Sequence, residues 1–219
     1  MIASRHVFLT GGTGYLGSRL ITQLAERGHT VRALARPGSA FRIPGRSAPV
    51  VGDALDARTY ADQVAPADTF VHLVGVAHPG PAKVQQFQTV DLASVREAVH
   101  AAAAAPVGHF VYVSVAHPAP VMKAYWRARV EAESLIKEAR LNATILRPWY
   151  VLGPGHRWPL ALVPVYWLAE LIPGTRATAR RLGLVTLRQM IAALVWSVER
   201  PATGTRILAV PDIRRGSGP

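Results

Sequence analysis

A doubly wound α/β domain built on a parallel sheet is predicted by three features of the sequence. Short apolar runs alternate with longer helical patterns from the N-terminus onward. Those runs are almost continuously Val, Ile, Leu and Phe, as expected of strands covered on both faces. The first run passes directly into a glycine-rich turn that opens a helix.

Taken in order, the first strand is His6–Thr10, followed by a helix over Tyr15–Arg27. Strands at Thr30–Ala35 and Ala48–Val51 come next, then a helix over Ala57–Val64 and a strand over Thr69–Val74. A helix over Gln85–Ala105 ends in an alanine run stopped before Pro106, since proline cannot continue the hydrogen-bond ladder. Strand His109–Ser114, helix Met122–Arg140 and strand Ala143–Leu146 complete the repeating part. Beyond Pro148, glycines and prolines at 153, 154, 155, 159, 164, 173 and 174 cut the chain into short pieces. A helix over Thr186–Glu199 and a strand over Arg206–Val210 then follow. Residues 1–219 are read as a single domain, with 151–184 a small irregular substrate lobe at the carboxyl edge of the sheet, where such folds bind ligands.

Composition narrows the function classes. The 219 residues carry 25 Lys+Arg against 13 Asp+Glu, for a formal charge of +12. All cations except Lys83, Lys123 and Lys137 are arginines, scattered without a run of like charge, so no nucleic-acid partner is expected. The chain has no cysteine, which excludes disulfides, thiolate metal sites and cysteine nucleophiles, and fits a reducing compartment. The N-terminus lacks the apolar core of a secretory signal, and the longest apolar stretch, Trp158 to Ile172, is too short and proline-broken to span a membrane. A soluble cytoplasmic protein is expected. The eight histidines show no metal-binding spacing, and there is no Gly-x-Ser-x-Gly elbow, so neither a metal site nor a hydrolase is expected.

The turn Gly11-Gly12-Thr13-Gly14-Tyr15-Leu16-Gly17 carries the strongest functional signal. A pyrophosphate needs close backbone approach and free amides at a helix N-terminus, and the helix must lie close to the strand; glycines at 11, 14 and 17 meet these needs. With Thr10, the turn resembles the Thr-Gly-x-x-Gly-x-x-Gly of the extended and atypical branches of the short-chain dehydrogenase/reductase superfamily. The resemblance implies a Rossmann fold and assigns Gly11, Thr13, Gly14, Tyr15, Leu16 and Gly17 to a nicotinamide dinucleotide. The second strand ends in Ala35-Arg36-Pro37, with a guanidinium where an acid would meet a ribose 2′-hydroxyl. Arg36 suits a 2′-phosphate by charge and fork geometry, so NADP(H) is favoured and NAD(H) is the alternative.

Further segments extend the resemblance. Gly52-Asp53-Ala54 resembles the family's Gly-Asp segment after the third strand and implies an adenine contact from Asp53, with Ala54 beside it. The end of the fourth strand implies cofactor contacts from Val74 and Gly75. Ser114 at the end of the fifth strand, followed by Tyr125 and Arg129, resembles the family's Ser and Tyr-x-x-x-Lys, with arginine in place of lysine. A spacing of four sets Tyr125 and Arg129 on one helical face, where a cation favours the phenolate. The implied roles are Ser114 orienting a substrate oxygen, Tyr125 as proton donor and Arg129 anchoring the nicotinamide ribose. Arg147-Pro148 and Gly153-Pro154 are similar to the extended branch's Arg-Pro and Gly-Pro stretch, which implies Pro148 against the nicotinamide.

Trp149, Tyr150 and Trp158 are candidates for an apolar substrate wall, core packing being the other reading. The apolar stretch Leu160–Ile172 between Arg157 and Arg176 leaves peripheral membrane contact or a homodimer contact open. Two functions compete: a reductase acting on a small apolar carbonyl compound, and a dinucleotide-binding sensor or scaffold that docks a partner through its aromatic lobe.

Overall fold

The computed structural model describes residues 3–77, 79–105, 107–118, 122–154 and 182–216. Nine strands lie among them: β1 (His6–Thr10), β2 (Thr30–Ala35), β3 (Ala48–Val51), β4 (Thr69–His72), β5 (His109–Val113), β6 (Ala143–Leu146), β7 (Tyr150–Leu152), β8 (Leu184–Thr186) and β9 (Thr205–Leu208). The helices are α1 (Gly17–Glu26), α2 (Ala93–Ala104), α3 (Lys123–Glu138), α4 (Leu187–Glu199) and α5 (Val210–Arg215).

Seven strands form one parallel sheet in the order β3-β2-β1-β4-β5-β6-β9, so the doubly wound fold read from the sequence is observed. The order reverses between β1 and β4. At that switch point the crossovers leave on opposite faces and a crevice opens beyond the carboxyl ends of the strands. In-register pairing aligns Phe8, Phe70 and Phe110 across β1, β4 and β5, with ring centroids 5.2 and 5.3 Å apart. Each such pair contributes about 0.5–1.5 kcal/mol beyond area burial. This ladder belongs to the core on the side of α2 and α3; the opposite face buries Leu20, Ile21 and Leu24 of α1 with Met190, Leu194 and Val198 of α4.

Three elements differ from the sequence reading. The helix expected over Ala57–Val64 is two separate 3₁₀ turns, Ala57–Thr59 and Ala61–Gln63. Side chains compete with the helix there: Asp56 accepts from the Arg58 amide at 3.1 Å and Thr59 Oγ1 donates to the Asp56 carbonyl at 2.7 Å. The fully buried Tyr60 then stacks on Phe8. The helix expected over Gln85–Ala105 is interrupted by a π-helical turn at Phe87–Leu92, which points Phe87, Asp91 and Leu92 inward. The final strand stops at Leu208, and Val210 opens α5.

Strands β7 and β8 pair as a separate two-stranded parallel sheet, so the two ends of the expected lobe meet. Trp158 and the stretch Leu160–Ile172 lie outside the described residues. Among the described residues no helix is long and apolar enough to cross a membrane.

Candidate functional site: a dinucleotide cleft and an adjoining cavity

The glycine turn is built as the sequence motif requires. Gly11 adopts φ +81°, a left-handed conformation that a Cβ disfavours, and an added Cβ would stand 2.8 Å from the Leu73 carbonyl carbon. A Cβ on Gly17 would stand 2.2 Å from the Gly11 carbonyl oxygen, so α1 begins in direct contact with the turn. The Gly14 amide donates to the Gly11 carbonyl at 3.0 Å, and α1 starts without a capping side chain.

Beside this turn lies a cleft of about 350 Å³. Gly11, Thr13 and Gly14 line it on one side, Arg36, Asp53 and Ala54 on another, and Val74 and Gly75 at its inner end. Eight sequence-assigned cofactor residues, from four separate segments, thus converge on one concavity at the switch point. Ser39, which was not singled out, joins them; its hydroxyl donates to the Arg36 carbonyl at 3.1 Å and braces the turn that presents Arg36. Three other assigned residues stand elsewhere. Tyr15 packs toward Gly153, where a Cβ would meet the Tyr15 hydroxyl at 2.0 Å; Gly17 acts through the turn; Pro148 is buried, its carbonyl accepting from Ala116 at 2.8 Å.

A second cavity, of about 190 Å³, adjoins the cleft and shares Leu73, Val74 and Gly75 with it. Leu16, Val76 and Val113 make its walls apolar, and Tyr125 and Arg129 are its polar residues. The four-residue spacing on α3 therefore brings these two together as expected, with the guanidinium carbon 5.0 Å from the Tyr125 ring centre.

Arg129 is 6% exposed and firmly held. Its Nη1 donates to the Tyr112 hydroxyl and to the Val113 carbonyl, each at 3.1 Å, and its Nη2 donates to Asp91 Oδ1. Burial alone would favour loss of its charge, but Tyr112, Tyr125 and Asp91 reverse that and hold it cationic. Burial pushes the Asp91 carboxyl upward against the pull of Arg129 and of the Val76 amide. Geometry decides between these opposing tendencies: the contact is close, the acid also accepts from Val76, and we read the pair as ionised.

Behind Asp91 runs a buried polar chain that sequence reasoning missed. Ser94 Oγ donates to the Asp91 carbonyl at 3.0 Å, so its only proton is committed and it must accept from His72 Nε2, 3.2 Å away. His72 Nδ1 is then the acceptor for Thr10 Oγ1 at 2.9 Å. Burial, reinforced by Arg129, pushes the His72 pKa down to about 3. This neutral strut ties the start of the glycine turn to the Asp91 turn. The one local sign was two polar residues, Asp91 and Ser94, in an apolar helical pattern.

Ser114 is not brought into either cavity. Tyr112 and Ser114, two apart, both face α3: Tyr112 meets Arg129, and the Ser114 hydroxyl donates to Glu133 Oε1 at 2.7 Å. Glu133 is 3% exposed and also accepts from Arg147 Nε at 3.0 Å and Nη2 at 2.5 Å. The expected Ser114 role needs its hydroxyl at a substrate oxygen; the structure commits that proton to a carboxylate, because Glu133 lies one helical turn beyond Arg129 on the same face. Of the aromatic candidates, Trp149 packs against the core and edges Tyr150 at 5.2 Å between ring centres.

The cleft tests positively for a dinucleotide on its own geometry. Glycines stand where a Cβ would fill space, a helix starts at its base, and the adjoining cavity carries a buried guanidinium whose Nε has no partner among the described residues.

A family model described as NAD(P)H-binding matches residues 11–156. The chain is 30% identical over 225 residues to a 3-diazoavenalumate denitrifying reductase of a Streptomyces species, covering 90% of this chain and 73% of that protein. It is 28% identical over 211 residues to the ceramide reductase of Caulobacter vibrioides, covering 95% of this chain and 65% of that one. It spans 31% of a 3-beta-hydroxysteroid dehydrogenase of Mycolicibacterium neoaurum, at 35% identity. The fold matches the Bordetella bronchiseptica enzyme WbmH, solved in complex with NAD+, with a TM-score of 0.69 over 94% of this chain and 75% of that one at 19% identity. Motif, cleft and relatives agree, and the chain belongs to the NAD(P)H-binding family within the short-chain dehydrogenase/reductase superfamily.

Proposed function

We propose that this protein is an NADP(H)-dependent oxidoreductase acting on a small, mainly apolar carbonyl compound. The observation that carries the reading is the adjoining cavity: it continues from the dinucleotide cleft, its walls are apolar, and Tyr125 and Arg129 supply its polar groups. The relatives are reductases and dehydrogenases, which supports the reaction class. A nicotinamide cofactor supplies or accepts the hydride when bound. The chain's own residues do the rest. Gly11 and Gly14 admit the pyrophosphate to the backbone, Asp53 meets the adenine, and Arg36 with Ser39 faces the 2′ position of the adenosine ribose. Leu16, Val76 and Val113 exclude water, and Tyr125 holds the proton destined for the substrate oxygen. Arg129 anchors the nicotinamide ribose.

Calorimetric titration with NADPH and NADH tests the cofactor assignment. The wild type is expected to prefer NADPH, and Arg36→Glu to weaken NADPH by at least about tenfold through loss of a charge-assisted phosphate contact while sparing NADH. Equal effects on both would refute the Arg36 role. Tyr125→Phe is expected to abolish turnover on a carbonyl panel with NADPH affinity retained; unchanged turnover would remove Tyr125 from the reaction.

A second reading is favoured by one specific observation: the Ser114 proton is given to Glu133 and the Arg129 charge is matched by Asp91. A dinucleotide-binding sensor or scaffold needs neither group free. It is distinguished by tight NADPH binding with no turnover by the wild type on the same panel.

A further inference from the structure

We propose that the turn after β2 is a membrane-contact surface, at which Phe41 enters the headgroup boundary of a bilayer and Arg42 and Arg46 hold anionic phospholipid headgroups. None of the three lines the dinucleotide cleft, so this role does not depend on which cofactor the cleft holds.

The turn is a 3₁₀ segment over Pro37–Arg42 that packs against β2 and β3. Two apolar residues, two positions apart, have opposite fates in it. Ile43 is 8% exposed, and a Cβ on Gly12 would stand 2.9 Å from its Cδ1, so Ile43 seats the turn on the glycine loop. Phe41 is 85% exposed. Its exposure is not that of a loose end, because the backbone on both sides is braced. The Ser39 amide donates to the Arg36 carbonyl at 2.9 Å and the Ile43 amide to the Ala40 carbonyl at 3.1 Å. A single exposed apolar side chain is ordinary, but this one has company. Val51, which ends edge strand β3, and Leu55 just beyond it are exposed as well. Three of the five exposed large apolar side chains among the described residues thus belong to this turn and its neighbouring strand end.

The surrounding charge selects what covers them. Residues 27–52 hold arginines at 27, 32, 36, 42 and 46 and no acid. Arg27 pairs with Glu199, Arg32 donates to the Ala65 carbonyl, and Arg36 lines the cleft. Arg42 and Arg46, one on each side of Pro44, are exposed and have no ion pair among the described residues. A shallow depression between Pro44 and α1 adds Arg19 to the same face. An aromatic ring flanked by guanidinium groups suits an anionic bilayer, since the ring enters the apolar boundary while the arginines stay at phosphate level. A protein partner would need a pocket shaped for a protruding Phe41 and about 1,000 Å² of matched surface around it, whereas lipid adapts to the side chain. One ring and a few arginines give weak, reversible contact.

The experiment is flotation of the full chain with vesicles of phosphatidylcholine alone and of phosphatidylcholine containing about one-third phosphatidylglycerol, at about 0.1 M salt. The wild type is expected to float with the anionic vesicles only. Arg42→Gln/Arg46→Gln should lower partitioning at least about tenfold, and Phe41→Ser at least about fivefold. Arg127→Gln/Arg140→Gln is the control. It removes the same charge from exposed positions on and just past α3, which packs on the other side of the sheet from Ile43, and should cost less than about twofold. All five side chains are exposed, so thermal unfolding should be unchanged in every variant. The chain has no cysteine, so a polarity-sensitive dye on Phe41→Cys reports that site alone and should shift to the blue on anionic vesicles. Equal losses in both arginine pairs would overturn the proposal by reducing binding to net charge, and an unshifted dye on floating protein would move the contact to another face. A wild type that floats with neither vesicle would turn this surface over to a protein partner, and a dimer dissolved by Phe41→Ser would assign it to a second copy of the chain.

Discussion

Two fully buried histidines make the stability of this protein acid-sensitive, and the size of the effect follows from their surroundings. His72 and His109 are each 1% exposed. Burial, with Arg129 nearby, pushes His72 from 6.5 to about 3; burial, with Arg206 and Arg5 nearby, pushes His109 to about 4. In both cases the folded state refuses a proton that the unfolded chain accepts below pH 6.5. Protons bound by the unfolded state exceed those bound by the native state across that window, so stability is full above pH 6.5 and falls as the pH drops toward 4. Moving from about pH 8 to about pH 5 covers roughly 1.5 units below the unfolded value, or about 2 kcal/mol per histidine and about 4 kcal/mol for the two. Against a total of about 5–15 kcal/mol for a typical domain, such a loss is readily measured. Asp91, raised by burial, works in the opposite sense. His72→Gln separates the contributions, since the amide can serve Thr10 and Ser94 without titrating and Asp91 stays unchanged. Urea unfolding at the two pH values should show the drop shrinking by about 2 kcal/mol in the variant. An undiminished drop would mean that His72 already carries its proton or is reached by solvent, and the strut between the glycine turn and Asp91 would have to be redrawn.

Two further outcomes follow from contacts in the same region. Gly17→Ala sets a methyl group against the Gly11 carbonyl, with 2.2 Å available, so the turn must move. Overpacking of this kind costs about 1–3 kcal/mol, and NADPH affinity measured by calorimetry should fall with it; an unaltered affinity would detach the helix start from the cofactor. Arg147→Leu leaves Glu133 buried without its cation, for a loss of about 3–5 kcal/mol in thermal or urea unfolding. Adding Glu133→Gln should return most of it, and a failure to do so would mean that the arginine stem, not the ion pair, holds this part of α3.

How much of the site is legible before folding depends on how far apart its parts lie along the chain. The glycine turn was read from seven consecutive residues, because the demands of a strand-to-helix turn on Cβ-free positions are local. Tyr125 and Arg129 were placed on one face by helical period alone, and the structure sets them side by side. Arg36 was placed by its charge and position at the end of the second strand, and Asp53, Val74 and Gly75 were implied by the family resemblance; parallel register then carries those strand ends to one edge of the sheet.

What the sequence determined by itself is therefore the alternation of the main-sheet strands with their crossovers, the doubly wound class and the glycine turn, since alternation and turn chemistry are short-range properties. Only the tertiary structure decided what those residues touch. Asp91 and Arg129 are 38 positions apart, and Ser114 and Glu133 are 19 apart; no periodicity links either pair. The π-helical turn that aims Asp91 inward and the 3₁₀ turns at Ala57–Thr59 and Ala61–Gln63 are likewise tertiary outcomes. In each, a buried partner or a competing side chain outweighs the small free-energy differences among helix types. How the Arg129 guanidinium is held is decided at that level, by an acid the chain brings to it from another helix.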